Sequence, residues 1–331
     1  MKRMGKIIGL GNALVDVLAP ISDDSLLSSL GLQKGMMQLV DGARAEEIAE
    51  TLQHLHPQRA TGGSAGNAML ALAGLGDKPG FIGRVGRDEM GRFYAHSASE
   101  AGIEMHLVEA DGPSGVAYTL VSPDGERTFG TSLGVAAGMT ASDLLPEMLR
   151  GYSLLHVEGY LVQNHDLIET ALGMARRERL RVSIDLASAN VVRADLDFFR
   201  HLVEHYVDVV FANEEESLAF TGEATPEAAL ASLAHQCDIA VVKLGAQGAM
   251  ARCGDEQTRV AARRVPVVDT TAAGDFFAGG FFFGLAHRAT LAQCLQCGAA
   301  ASEQVIQIVG TRLSQSAWLG LRKQINEILS R

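Results

Sequence analysis

The sequence predicts an α/β protein with a mostly parallel central sheet flanked by helices and a small accessory β-sheet. Three observations carry the prediction. Apolar runs of strand length alternate with segments of helical period through most of the 331 residues, the pattern of a parallel sheet covered on both faces. Residues 35–40 (GMMQLV) and 104–132 break the alternation and read as strands joined by turns such as Pro123-Asp124-Gly125, with no helix between them. The composition, 47% hydrophobic with no long linker, low-complexity tract or fixed-period repeat, is that of an ordinary globular chain. The chain 1–331 therefore reads as one domain, its accessory sheet a discontinuous lid from about 14–40 and 104–132.

In order along the chain, the short apolar runs place the main strands at 6–11 (KIIGLG), 81–86 (FIGRVG), 152–159 (YSLLHVEG), 181–186 (RVSIDL), 208–213 (DVVFAN) and 238–245 (DIAVVKLG). Helical periodicity places helices at 44–55, 66–75, 88–101, 141–149, 165–178, 195–205, 214–221, 226–236, 273–287, 290–305 and 314–329. Strand followed by helix, repeated, is what a doubly covered parallel sheet requires.

Charge and cysteine usage exclude several classes. Against 28 Lys and Arg stand 39 Asp and Glu, a formal charge of -11, which argues against nucleic acid or an anionic membrane as partner. The opening MKRMGKIIGLGN has an apolar run too short and Gly-broken for a secretory leader, and no stretch approaches the roughly 18–20 apolar residues of a membrane span. A cytoplasmic protein, monomer or homodimer, with a small-molecule substrate is expected. Cys294 and Cys297 form a CxxC inside a helical segment, with His156-Val157-Glu158 the only distant mimic of a zinc-deaminase motif. Gln293 stands where that motif needs Pro, so core packing is the expectation.

Chemistry is expected where strands end, because open α/β sheets bind ligands outside their carboxyl edge. After the first strand, Asn12 and Asp16 offer an amide and a carboxylate suited to hydroxyl groups. TGGSAGN (61–67) opens a helix on Gly62 and Gly63, which let backbone approach a ligand, and ends on Asn67. Asn213 to Glu216 (NEEE) suits either plain helix-dipole charge or a magnesium ion held partly through water. KLGAQG places Lys243, Gly245 and Gly248 at a tight turn that suits a nucleotide. Finally, VVDTTAAGDFFAGGFFFG (267–284) runs through small residues into a helix with Asp275 in its first turn. That stretch reads either as an ordinary capped helix or as a phosphate cradle with a carboxylate beside it. No P-loop or protein-kinase motif set is present, and Leu14 stands where a dinucleotide fingerprint needs its third glycine.

Together and in this order, these motifs resemble the PfkB-type, ribokinase-like family of sugar and nucleoside kinases over nearly the whole chain. The resemblance implies a ribokinase-like fold with a β-sheet lid, use of ATP and Mg2+, and room for a monovalent cation. It implies Asp275 as catalytic base, with an anion hole at the amides around Ala273 and Gly274. Asn12, Asp16, Gly62, Gly63 and Asn67 match the substrate hydroxyl site. Asn213 and Glu216 match the magnesium and phosphate motif, and Lys243, Gly245 and Gly248 the ATP side.

Within the family, the span of about 46 residues from Asp16 to Gly62 is similar to adenosine kinases. So is GERTF (125–129), where Arg127 matches a phosphate-contacting arginine. Both point to a nucleoside such as adenosine, phosphorylated on its 5′-hydroxyl, with Met36, Met37, Leu39 and Tyr118 as lid residues that either cover the base or simply pack. A ribokinase- or fructokinase-like sugar acceptor stays open, as does a non-catalytic nucleotide-binding protein. One departure stands out: the family's D-T-x-G-A-G-D has Ala272 in place of its first glycine. The expectation is that Ala272 adopts a conformation open to any L-residue and leaves the cradle intact.

Overall fold

The computed structural model describes residues 5–331. Its strands, in chain order, are β1 (Lys6–Leu10), β2 (Leu14–Pro20), β3 (Met37–Leu39), β4 (Gln58–Gly62), β5 (Gly80–Gly86), β6 (Glu104–Ala110) and β7 (Gly115–Val121). There follow β8 (Arg127–Ser132), β9 (Tyr152–Glu158), β10 (Arg181–Asp185), β11 (Val209–Asn213), β12 (Ile239–Lys243), β13 (Ala249–Cys253) and β14 (Glu256–Val260). Among the described residues they form a nine-stranded sheet, order β14-β13-β12-β11-β10-β9-β1-β5-β6, and a five-stranded sheet, order β3-β8-β7-β2-β4.

The large sheet is parallel from β12 to β6, and only the β12-β13-β14 edge is antiparallel. Its central strands are apolar on both faces, as in β9 with Leu154, Leu155 and Val157 almost wholly buried, because helices cover both sides. From β1 the chain moves outward to β5 and β6, then returns to lay β9 on the other flank of β1. The crevice at the carboxyl ends of β1 and β9 is thus the topological switch point, the place where such sheets bind ligands.

Helix Ala273–Ala286 runs through the core with ten buried residues from Phe276 to Leu285. Its glycines let neighbours in: a Cβ on Gly279 would stand 2.5 Å from the Ala68 carbonyl, and one on Gly280 2.4 Å from that of Cys297. Helices Ser64–Leu75 and Leu291–Val305 therefore pack hard against it. Cys294 and Cys297 are buried free thiols on that contact, as the core-packing reading expects.

The small sheet stands over the crevice, and its strand register sorts its side chains. Asp16 pairs with Ala117, Ala117 with Thr131, Thr119 with Phe129, and Phe129 with Met37, so these residues share one face. The opposite face, carrying Val15, Val17 and Tyr118, packs under helix Gly42–Leu52 through Ile48.

Several elements differ from the sequence expectation. Residues 104–110 join the large sheet as its edge strand β6, parallel to β5, rather than the lid; the small sheet takes β4 in their place. Residues 141–149 form two short 3₁₀ turns, Ala141–Asp143 and Pro146–Leu149, because a proline disfavours helical backbone in the residue before it. Helix Ala189–Ala194 and the β13–β14 hairpin had no periodic signal long enough to be assigned.

Candidate active site

The predicted site residues converge at the carboxyl edge of the large sheet. Asp275, in the first turn of helix Ala273–Ala286, accepts a hydrogen bond from Ser64 Oγ at 2.7 Å through Oδ1 and from Asn67 Nδ2 at 3.0 Å through Oδ2. Burial lifts its carboxyl to about 6 against the opposing pull of those two donors. The helix start lies open beside it. The Ala273 N–H is spent on the Thr270 carbonyl at 3.2 Å, and the first helical bond runs from Phe276 to the Ala272 carbonyl. The N–H groups of Gly274 and Asp275 therefore have no acceptor among the described residues. Of the expected anion-hole amides, Gly274 is available and Ala273 is not, while that of Asp275 joins it.

Ala272 caps this helix at φ 59°, ψ 9°. That is the left-handed region, which costs an L-residue roughly 1–2 kcal/mol and which glycine enters freely. The expectation of an unstrained Ala272 is thus corrected. The N–H groups of Gly274 and Asp275 beside it nonetheless keep no acceptor among the described residues.

Asn12, just past β1, gives both its N–H (2.8 Å) and its Nδ2 (2.6 Å) to Oε1 of Glu158, while Oε2 accepts the Ala65 N–H at 3.1 Å. Glu158 ends β9, so one carboxylate at the switch point ties the first loop to the helix that carries Ser64 and Asn67. Burial raises its carboxyl to about 7, with the negative Asp275 adding to the effect. In the sequence it figures only in the rejected zinc-deaminase mimic; the available signal was position, the last residue of a central strand. Gly11 makes room for it, since a Cβ there would lie 2.4 Å from Oε2.

Asp16, on β2, faces the crevice with no side-chain hydrogen-bond partner among the described residues and only partial cover. Burial, then the negative Asp275 and Asp269, push its carboxyl up to about 7. The two adjacent glycines have separate reasons. A Cβ on Gly62 would strike the Asp16 carboxylate at 2.3 Å, and Gly63, at φ 84°, would put one 2.1 Å from the Asn12 carbonyl.

Along the same edge, Asn213 and Glu216 cap each other: Glu216 Oε2 accepts the Asn213 N–H (2.8 Å), Oε1 accepts Asn213 Nδ2 (2.7 Å), and Asn213 Oδ1 accepts the Glu216 N–H (2.8 Å). Glu216 is buried and its carboxyl raised to about 7, by burial and then by Asp185. Each oxygen keeps a free lone pair, so this hard oxygen pair fits a magnesium ion held through water. No cluster of three or more His, Cys, Asp or Glu side chains placed to hold a metal occurs among the described residues. Lys243 pairs with Asp185 at 2.7 Å, both largely buried. Gly245 (φ 52°) and Gly248 (φ 96°) make the turn beyond it, where a Cβ on Gly248 would lie 2.0 Å from the Val260 carbonyl.

Arg127, at the start of β8, reaches down from the small sheet to an ion pair with Asp269 and a 3.3 Å hydrogen bond to Thr271 Oγ1. Asp269 also accepts the N–H groups of Thr271 (2.8 Å) and Gly310 (2.6 Å). The guanidinium thus locks the cradle loop to the small sheet. Of the expected lid residues, Met37 and Leu39 are more than half exposed on the crevice face, Met36 is half exposed beside them, and Tyr118 is packed on the opposite face. Phe129, partly exposed between Met37 and Thr119, is the aromatic residue on the crevice face that the sequence reading passed over.

A large parallel sheet capped by a small one, with its polar residues gathered at the switch point and a helix N-terminus, defines a ligand-binding α/β protein whose helix mouth suits an anion. Residues 36–318 match the model of the pfkB family carbohydrate kinases, and the chain belongs to that family. Over 97% of its length it is 31% identical to the adenosine kinase from Sinorhizobium meliloti, with TM-score 0.86 and 99% of that chain covered. A probable sugar kinase from Rhizobium etli CFN 42 is 30% identical over 97% of this chain and 98% of its own, also at TM-score 0.86. The guanosine-inosine kinase of Escherichia coli (strain K12) is 26% identical over 234 residues, 66% of this chain and 54% of that protein. The match thus spans about half the length of that relative. Among the described residues no helix is long and apolar enough to cross a membrane.

Proposed function

We propose that this protein is an ATP-dependent kinase that transfers the γ-phosphoryl group to the 5′-hydroxyl of a nucleoside, with adenosine as the preferred acceptor. The observation that carries the reading is the pairing of Asp275 with the acceptor-free N–H groups of Gly274 and Asp275. A half-buried carboxylate and an anion cradle lie side by side at one helix mouth, which is what phosphoryl transfer to an alcohol needs.

Asp16 accepts the vicinal hydroxyls of the sugar, and Asn12 and Asn67 fix its orientation. The acceptor hydroxyl takes the place of Ser64 at Asp275 Oδ1. Its oxygen forms the new bond to the γ-phosphorus as the bond to the β–γ bridging oxygen breaks, its proton passes to Asp275, and ADP leaves. The turn at Gly245 and Gly248 receives the nucleotide, and Arg127 adds positive charge on the small-sheet side. Magnesium, when bound, neutralises phosphate charge and is held through water by Glu216 and Asn213. The preference for a nucleoside draws support from the apolar crevice face of Met37, Leu39 and Phe129, which suits an aromatic base better than water, and from the similarity to the adenosine kinase.

The sugar kinase similarity favours a second reading, in which the acceptor is a free sugar. Steady-state turnover of adenosine, guanosine, inosine, ribose and fructose at saturating ATP–Mg2+ separates the two. The nucleoside reading expects kcat/KM for adenosine at least a hundredfold above ribose and fructose. Ribose or fructose as best acceptor would overturn it, and turnover of none would leave a nucleotide-binding protein without catalysis.

A further inference from the structure

Gly274 has no conformational reason to be glycine. It lies in the first turn of a helix, outside the left-handed region, where alanine is favoured by about 1 kcal/mol. What a side chain there would meet is Lys243: a Cβ would stand 3.0 Å from Nζ, with Cε and Cδ behind it at 3.8 and 3.9 Å. The bare Cα lets an ammonium group settle against the helix mouth, next to the two acceptor-free N–H groups and Asp275.

That ammonium is held from the other side by Asp185 Oδ2 at 2.7 Å. Asp185 is in turn fixed through Oδ1 by the Ala187 N–H at 3.0 Å, at a turn where Ala187 itself sits at φ 67°. Asp185 and Lys243 end β10 and β12, with β11 between them, so the pair spans two strand spacings across the carboxyl edge. Burial alone would lower the pKa of Lys243, but the negative Asp185 and Glu216 hold it above the ordinary value. A permanent cation is thus stored where an anion is to arrive.

We propose that Lys243 is a further member of the anion hole, its ammonium acting on the phosphoryl group in flight rather than on the nucleotide alone. Asp185 is its positioning residue, and residue 274 is glycine to admit it. The inference rests on the kinase reading above. It differs from the plain assignment of Lys243 to nucleotide binding in one respect: an interaction made with the moving phosphoryl lowers the barrier, whereas one made equally with bound nucleotide changes only affinity.

The test compares ADP alone with ADP plus aluminium fluoride and adenosine, a mimic of the planar phosphoryl, by calorimetric titration, alongside kcat and KM. For Lys243→Met, kcat should fall about 10²–10³-fold with KM for adenosine and ATP within about threefold. Affinity for ADP should hold within threefold while the aluminium fluoride complex weakens at least thirtyfold. Gly274→Ala should move the same quantities in the same direction, by about tenfold. Asp185→Asn should shift the alkaline limb of the kcat profile to lower pH, since Lys243 loses the carboxylate that keeps it charged.

Because Lys243→Met leaves Asp185 buried and unpaired, the double variant Lys243→Met/Asp185→Asn is measured as well; it should fold and show the same selective loss. Equal weakening of ADP and its aluminium fluoride complex would overturn the proposal, as would kcat within threefold of wild type in the double variant. Failure of the kinase reading looks different: it would appear as no turnover of any acceptor by the wild-type protein, or as full activity of Asp275→Asn.

Discussion

Asp16→Asn should make the unliganded protein more stable and the enzyme worse. The Asp16 carboxyl lies in the crevice without a hydrogen-bond partner, and its pKa stands at about 7 against 3.8 in an exposed chain. At 1.36 kcal/mol per pH unit that difference corresponds to about 4 kcal/mol for the fully ionised group. Water at the crevice mouth screens part of it, leaving roughly 1–3 kcal/mol. The folded value lies above the unfolded one, so the carboxyl adds no penalty below pH 3.8. The penalty grows as pH rises between the two values and is complete above about 7. Asparagine has nearly the same shape and never ionises. Thermal melts at pH 4 to 8 should show wild type and variant together at pH 4. The variant should pull ahead by roughly 1.5–4 °C at pH 8 for a domain of this size. In the same protein, loss of a charged acceptor for the sugar hydroxyls should lower kcat/KM for adenosine by about 10–150-fold, the equivalent of 1.5–3 kcal/mol. A variant less stable than wild type at pH 8, or a difference that does not grow with pH, would refute the picture of a carboxylate whose ionisation in the crevice costs the fold stability.

Other perturbations probe the rest of the site. Ala272→Gly should relieve the left-handed strain and raise stability by about 1 kcal/mol in urea unfolding, with kcat within tenfold because no donor is gained or lost; a hundredfold rise in kcat would show a cradle damaged by the methyl group. Arg127→Met should destabilise the protein by about 2–4 kcal/mol, because it leaves the buried Asp269 without its cation; a change under about 0.5 kcal/mol would mean that the ion pair contributes little to the fold. Glu216→Gln should raise the Mg2+ concentration needed for half-maximal rate several-fold, and an unchanged magnesium dependence would reduce the Asn213–Glu216 pair to a helix cap.

The parallel core was legible because burial on both faces forces near-continuous apolar strands, and all six main strands expected from such runs are present. Asp275, Asn67 and the glycines were legible because backbone approach and helix starts impose residue types locally. Glu158 and Asp185 were not: each is a single acid at the end of an apolar strand, and its partner is supplied by sheet order, which a linear reading does not contain. The sides of the small sheet stayed open in the sequence for a related reason. Tyr118 suits either cover for a base or plain packing, and only the β7–β8 register places it on the face opposite Phe129. Ala272 illustrates the limit of local propensity, since its left-handed backbone is imposed by the turn around it and not by its own preference.

The most direct test of the account is the rate of Asp275→Asn with saturating ATP–Mg2+ and adenosine. Asparagine preserves contacts to the Ser64 and Asn67 side of the site but cannot take the proton of the acceptor hydroxyl. The kcat of the variant should be lower by about 10²–10⁴-fold, with KM for adenosine and ATP within a few-fold. The wild-type kcat/KM should fall on the acid side in two steps, with apparent pKa values near 7 and near 6, where first Asp16 and then Asp275 becomes protonated. Near-full turnover by the variant would contradict the assignment of Asp275 as the base and, with it, the reading of this helix mouth as the centre of phosphoryl transfer.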